Sequence, residues 1–197
     1  LRKLEKTIYT NASKIIALSP GMKEGVESII SNNKNIEILP NTSDCNFFNN
    51  EAKDIKNTFY FGTAEKFVVS YIGAIGAVNA LDSLLDVALE CKNSDLKDVE
   101  FVVAGKGKEL GRIKDKAKIL ELKNIKFVGF LNRIEIQKLL NITDASFISF
   151  ESKPILETNS PNKFFDSIAA GKICIVNNKG WIKELIEEHK IGFYYSK

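Results

Sequence analysis

Glu157-Thr158-Asn159-Ser160-Pro161-Asn162-Lys163-Phe164-Phe165-Asp166-Ser167-Ile168-Ala169-Ala170-Gly171 reads as a loop, a helix and a stop. Ser160 has the side chain of an N-cap, because its hydroxyl can accept from a free amide one turn in. Pro161 suits the first helical position, where its missing N–H costs nothing and its φ is already helical. Such a helix start offers unpaired amides and the positive end of a dipole to an anion. Lys163 and Asp166 lie three apart and share a face. Phe165, Ile168 and Ala169 form an apolar face suited to a sheet. Gly171 ends the helix, and Ile173-Cys174-Ile175-Val176 follows as a buried strand. Amides, a cation and a carboxylate at one helix start point to a nucleotide diphosphate. Read alone, the stretch is equally an ordinary capped helix with an i, i+3 ion pair.

Outward from it, strands and helices alternate. Residues 67–72, 99–104, 125–128, 145–149, 173–176 and 191–195 are short apolar runs. Helical patterns separate them at 79–91, 108–120, 133–140, 161–171 and 181–188. This alternation predicts an α/β fold: a Rossmann-like parallel sheet with helices on both faces. In such sheets ligands bind beyond the carboxyl ends of the strands. Four turns lie at that edge: 73–79, 105–107, 129–132 and the loop 151–161.

Upstream lies a partial β-α-β piece. A charged amphipathic helix (1–11) precedes strand 14–18, a helix opened by Ser19-Pro20 and running to about Ile30, and strand 36–39, stopped by Pro40-Asn41. Met22, Val26, Ile29 and Ile30 turn inward. Residues 1–42 read as the tail of a preceding domain, 43–66 as a linker that packs Phe47, Phe48, Phe59 and Phe61 locally, and 67–197 as the Rossmann-like domain.

Composition narrows the function. The 197 residues are 44% hydrophobic, with 28 basic and 25 acidic side chains. That balance is too even for a nucleic-acid partner, while a membrane-facing patch stays open. No run approaches the roughly 20 apolar residues needed to span a bilayer, and no signal peptide is expected. Cys45, Cys91 and Cys174 are far apart and His189 stands alone, so reduced thiols, a cytoplasmic location and no metal site are expected. Gly73-Ala74-Ile75-Gly76 lets backbone approach a phosphate but lacks the dinucleotide fingerprint, and Gly105-Lys106-Gly107 is not a P-loop. Trp181 reads as a packing anchor and His189 as a solvated surface residue.

Taken in order, Tyr71-Ile72-Gly73-Ala74-Ile75-Gly76, Phe101 to Gly107, Lys126 to Leu131, Asp144-Ala145 and Ser160 to Asp166 carry a resemblance. The series resembles the C-terminal, donor-binding domain of glycosyltransferase family 4, the group 1 retaining transferases of GT-B fold. Residues 12–22 and Leu39-Pro40-Asn41 resemble the end of that family's N-terminal domain and its hinge. The resemblance implies a metal-independent glycosyltransferase needing no cofactor. Its donor would be a nucleotide diphosphate sugar, with UDP favoured, and its acceptor a glycan or lipid-linked chain in bacterial surface polysaccharide synthesis. Such an enzyme would work in the cytoplasm, with contact to the inner membrane face left open.

By position, the resemblance places Asp166 on the ribose and Lys163 by the diphosphate, Gly73 and Gly76 facing the phosphates, and Phe130 at the base. Asn79, Arg133, Thr158, Asn159 and Ser160 are further expected contacts, and Glu157 and Lys163 the catalytic candidates. The departures are Ala74 and Asn79, where the family commonly has Arg and Lys, and the spacing of its paired carboxylates. Thr158 stands eight before Asp166, with Glu157 one residue too early. A sugar-nucleotide epimerase of GT-B architecture and a non-catalytic nucleotide-binding module are the alternatives.

Overall fold

A computed structural model describes residues 2–30, 35–49, 54–63, 66–96 and 98–196, with only the backbone of residues 55, 56 and 59. Leu1, residues 50–53 and 64–65 of the expected linker, and the side chain of Phe59 lie outside the described residues.

The chain opens with α1 (Arg2–Asn11), β1 (Ile15–Ala17), α2 (Pro20–Glu27) and β2 (Ile36–Ile38). β1 and β2 pair in parallel as a sheet of their own. Ser19 caps α2 as its sequence predicts, its hydroxyl accepting from Met22 N at 3.1 Å. Val26, Ile30 and Ile36 form a small core there, with Met22 and Ile29 packed against it.

The expected linker carries α3 (Cys45–Phe48) and α4 (Ile55–Phe61). Phe47 and Phe48 meet edge to face, 5.0 Å between ring centroids, as local packing predicts, but Phe48 and Phe61 also reach beyond the linker. Phe48 is buried against Leu140 and Ala170, and Phe61 joins Val68, Val102 and Leu139 under the main sheet. These rings lose more water by joining an existing core than by clustering in a short segment.

Then come β3 (Phe67–Ile72), α5 (Asp82–Asn93), β4 (Val99–Ala104), α6 (Leu110–Ile119), β5 (Ile125–Gly129), α7 (Arg133–Ile142) and β6 (Ala145–Ile148). The chain closes with α8 (Pro154–Glu157), α9 (Asn162–Ala169), β7 (Ile173–Val176), α10 (Gly180–His189) and β8 (Gly192–Tyr194). The six strands β3 to β8 pair in parallel in the order β5-β4-β3-β6-β7-β8. The central strands are buried on both faces, which is why β3, β4 and β6 are mostly apolar. Val69, Tyr71, Phe101, Val103 and Phe147 meet α5 and α6. Val68 and Val102 meet α7, and Ile148, Cys174 and Val176 meet α9 and α10. Strand order reverses between β3 and β6, and the crevice above that reversal is where such a sheet receives a ligand.

Two expectations about α9 are corrected. Ser160 is not its N-cap: Pro161 holds that place with extended backbone (φ −78°, ψ 129°), and no side chain caps the helix. Ser160 is engaged elsewhere, accepting from the Asn41 amide. The deepest residue is Phe164, 0% exposed, whereas Phe165 and Ile168 are half-buried beside it. Phe164 faces Ile148, Cys174 and Ile182, and its truncation to alanine would cost about 3–5 kcal/mol. Gly171 does end the helix, at φ +67°, with Lys172 N bonding back to Ser167 O at 2.9 Å.

Candidate functional site

Three turns at the carboxyl edge are hydrogen-bonded into one surface. Gly73 N donates to Ala104 O at 2.9 Å, Ile75 N to Lys106 O at 2.9 Å and Gly105 N to Gly129 O at 2.7 Å. This contact explains the glycines of Gly105-Lys106-Gly107. A Cβ at Gly105 would stand 1.8 Å from Gly73 O, and one at Gly107 2.1 Å from Ile75 O. They are there for the neighbouring turn. Glu151 N donates to Val78 O at 2.9 Å and Ser149 Oγ to Asn79 O at 2.6 Å, so the loop after β6 is fastened to the turn after β3.

Between these turns and α9 lies a cavity of about 510 Å³, at the point where strand order reverses. Gly73, Asn79, Ser160, Lys163 and Asp166 line it together with Asn41 and Phe150. A second, more apolar cleft of about 320 Å³ adjoins it through Ile72, Gly73, Ala74 and Ile136, and ends at Phe130 and Leu131. Phe130 is 66% exposed, and Lys106 Nζ stands 4.6 Å from its ring centroid.

Lys163 is the one cation among the described residues that line the larger cavity. It forms no ion pair with Asp166. Its ammonium donates to Tyr71 Oη at 3.2 Å and stands 4.4 Å from the Tyr71 ring centroid and 5.0 Å from that of Phe150. Burial pulls its pKa down to about 8, because an ammonium withdrawn from water without a facing carboxylate loses hydration and gains little. The Asp166 carboxylate accepts instead from Ser43 Oγ at 2.7 Å. The first bond at the start of α9 runs from Phe164 N to Pro161 O at 3.0 Å, after the amides of Asn162 and Lys163. An ammonium, those helix-start amides and a carboxylate thus border one cavity, and an ordinary helix with an internal ion pair does not describe it.

The other expected residues are placed differently. Arg133 lies outside both cavities: it pairs with Asp44 at 3.0 Å and stacks 4.3 Å from the Phe47 ring centroid. Gly76 borders neither cavity, and its backbone opens the 3₁₀ turn at Ala77–Asn79. Glu157, Thr158 and Asn159 sit at the end of α8 and in the loop beyond it, also outside the cavity lining. Thr158 Oγ1 donates to Ile155 O at 2.9 Å, and Thr158 O accepts from Ser19 Oγ at 2.6 Å. Asn159 O accepts from Trp181 Nε1 at 2.8 Å, which makes Trp181 a support of this loop.

Tyr71, Asn41, Ser43 and Phe150 border the site or hold its residues, yet their sequence gives little sign of it. Tyr71 reads as one more apolar strand residue. Asn41 is visible as part of the Pro40-Asn41 stop, but not its bond from Nδ2 to Ser160 O, 119 residues away.

Among the described residues no group of three or more His, Cys, Asp or Glu side chains could hold a metal ion. No helix there is long and apolar enough to cross a membrane.

No curated protein matches the chain by sequence. Among solved structures, HepE of Anabaena, crystallised with UDP and glucose, is 20% identical with a TM-score of 0.81, over 99% of this chain and 52% of HepE. WaaG, a glycosyltransferase involved in lipopolysaccharide biosynthesis, is 13% identical with a TM-score of 0.76, over 92% of this chain and 49% of WaaG. Sucrose-phosphate synthase of Thermosynechococcus elongatus is 15% identical with a TM-score of 0.76, over 99% of this chain and 48% of the synthase. At these identities the likeness concerns the fold, that of a GT-B half-domain. The chain spans about half the length of these structures. The family model described as glycosyl transferases group 1 matches residues 55–197. The chain therefore belongs to the group 1 glycosyl transferases.

Proposed function

We propose that this chain is the donor-binding half of a retaining, metal-independent glycosyltransferase that takes its sugar from a UDP-sugar. The observation that carries the reading is the cavity at the strand-order reversal, with Lys163 its one lining cation among the described residues. In this reading the diphosphate lies between Lys163, the amides that open α9 and the Gly73 turn. Asp166 accepts from the ribose, and the base enters the apolar cleft beside Phe130. Lys163 and the amides stabilise the leaving diphosphate, the task a divalent cation performs in other transferases. Glu157 acts on the donor sugar after a one-residue shift of its loop. HepE, crystallised with UDP-glucose, lends support to a UDP-sugar donor.

Residues 1–42 then form the end of the acceptor domain and 43–66 the linker, and the acceptor is a glycan or lipid-linked chain of a bacterial surface polysaccharide. A thermal-shift series tests the reading. UDP at ~100 times its dissociation constant should add ~2.7 kcal/mol to unfolding in the presence of a chelator. No shift at millimolar UDP, or a shift that requires magnesium, would overturn it.

A further inference from the structure

The Lys163 ammonium has one hydrogen-bond acceptor among the described residues, the phenol oxygen of Tyr71 at 3.2 Å. The same hydroxyl donates to Ala74 O at 2.6 Å. Tyr71 is 0% exposed, so this group is cut off from water and both of its bonds are internal. A Cβ at Gly73 would stand 3.6 Å from Lys163 Nζ, so the glycine turn lies directly against the ammonium. One phenol therefore touches both halves of the cavity wall, the lysine of α9 and the turn after β3.

We infer that Tyr71 is a positioning residue of the anion site: its oxygen holds the Lys163 ammonium against the glycine turn while its proton fixes the Ala74 carbonyl of that turn. This rests on the reading of the cavity as a diphosphate site. Packing alone does not require the hydroxyl, because phenylalanine would fill the same core volume and offer the same ring face. The rings of Tyr71 and Phe150 attract a cation but fix no direction for its N–H bonds. The phenol oxygen does fix one. It occupies one of three ammonium donors and leaves two for a ligand. The titratable group in contact with the ammonium is Tyr71 from β3, and Asp166 from α9 lines the same cavity with its carboxylate bound by Ser43. From the glycine turn and the loop after β6 come Gly73 and Phe150, which do not titrate.

Tyr71→Phe keeps the ring and removes the acceptor. The test follows the Lys163 side-chain signal by NMR through a pH titration, assigned by its loss in Lys163→Met, with UDP and uridine binding measured alongside. The expected result is a lower titration midpoint for Lys163 and UDP affinity weakened about tenfold at pH 8, with uridine unchanged. An unchanged midpoint and unchanged UDP affinity in a folded variant would overturn the inference. A shifted midpoint in a chain whose wild type binds no UDP would uphold the positioning role and sink the functional reading. Should Tyr71→Phe not fold, the wild-type ammonium decides. Slow exchange with water and a nuclear Overhauser contact to the Tyr71 ring support the inference, and exchange as fast as at surface lysines refutes it.

Discussion

A side chain at position 21 would collide with Thr158: a Cβ built on Gly21 comes within 2.7 Å of Thr158 Cγ2. Ser19, two residues earlier, donates its hydroxyl to Thr158 O at 2.6 Å. The start of α2 and the loop before α9 are thus in contact through 139 residues of separation. Gly21→Ala should destabilise the chain, although alanine is the better helix former by about 1 kcal/mol. Thr158→Ser removes the offending methyl and keeps the hydroxyl. Adding it to Gly21→Ala should restore the melting temperature to wild type or above. A double variant no more stable than Gly21→Ala would show that the contact does not set the residue at 21.

Lys163 and Asp166 border one cavity with different partners, and their substitutions should separate. Lys163→Ala should weaken UDP far more than uridine, because a charge-assisted bond to phosphate is lost. Asp166→Asn should weaken both alike, since both carry the ribose. Binding titrations with the two ligands check this. Equal losses for both ligands from both substitutions would mean that the residues only support the helix.

Glu157 and Thr158 offer a contrast in one loop. In the full-length enzyme Glu157→Gln should spare UDP binding and lower kcat together with kcat/KM, as expected of a group that acts on the sugar in the transition state. Thr158→Ala, whose methyl packs on Gly21, should lower stability and leave turnover near wild type once folded. The opposite pattern would remove Glu157 from the reaction.

Lys163 also makes stability depend on pH. Its ammonium is held at about 8 in the fold, against 10.5 for an ordinary lysine. Below pH 8 both states are protonated and the cost of burying the charge is constant. Between 8 and 10.5 the unfolded chain holds more protons, so this residue's contribution rises with pH by at most about 1.4 kcal/mol per unit. Denaturant unfolding at pH 7, 8, 9 and 10 should show that wild type gains on Lys163→Met across that window. A stability difference that does not change with pH would contradict the buried ammonium.

How far this site was legible depends on how local each signal is. The strands were readable because both faces of the sheet are covered, and runs such as Phe101-Val102-Val103-Ala104 have no polar face to confuse. Lys163 and Asp166 were found because one helix turn brings them to the same cavity. Ser160 was misplaced as a cap because its hydroxyl accepts from the amide of Asn41, far off in sequence, and not from an amide of α9. Arg133 begins α7 beside the glycine turn, but Asp44 and the Phe47 ring draw it to the linker. Gly105 and Gly107 read only as a small turn at the carboxyl edge, and what they admit is the backbone of the Gly73 to Ile75 turn, which only the folded sheet brings there.

A crystal structure of the chain with UDP, grown without divalent metal, tests the central claim most directly. The account predicts the diphosphate within hydrogen-bond reach of Lys163 Nζ and the amides of Asn162 and Lys163, the ribose at Asp166 and the base beside Phe130 in the apolar cleft. A diphosphate bound away from Lys163, or UDP ordered only when a metal bridges it to the protein, would contradict it.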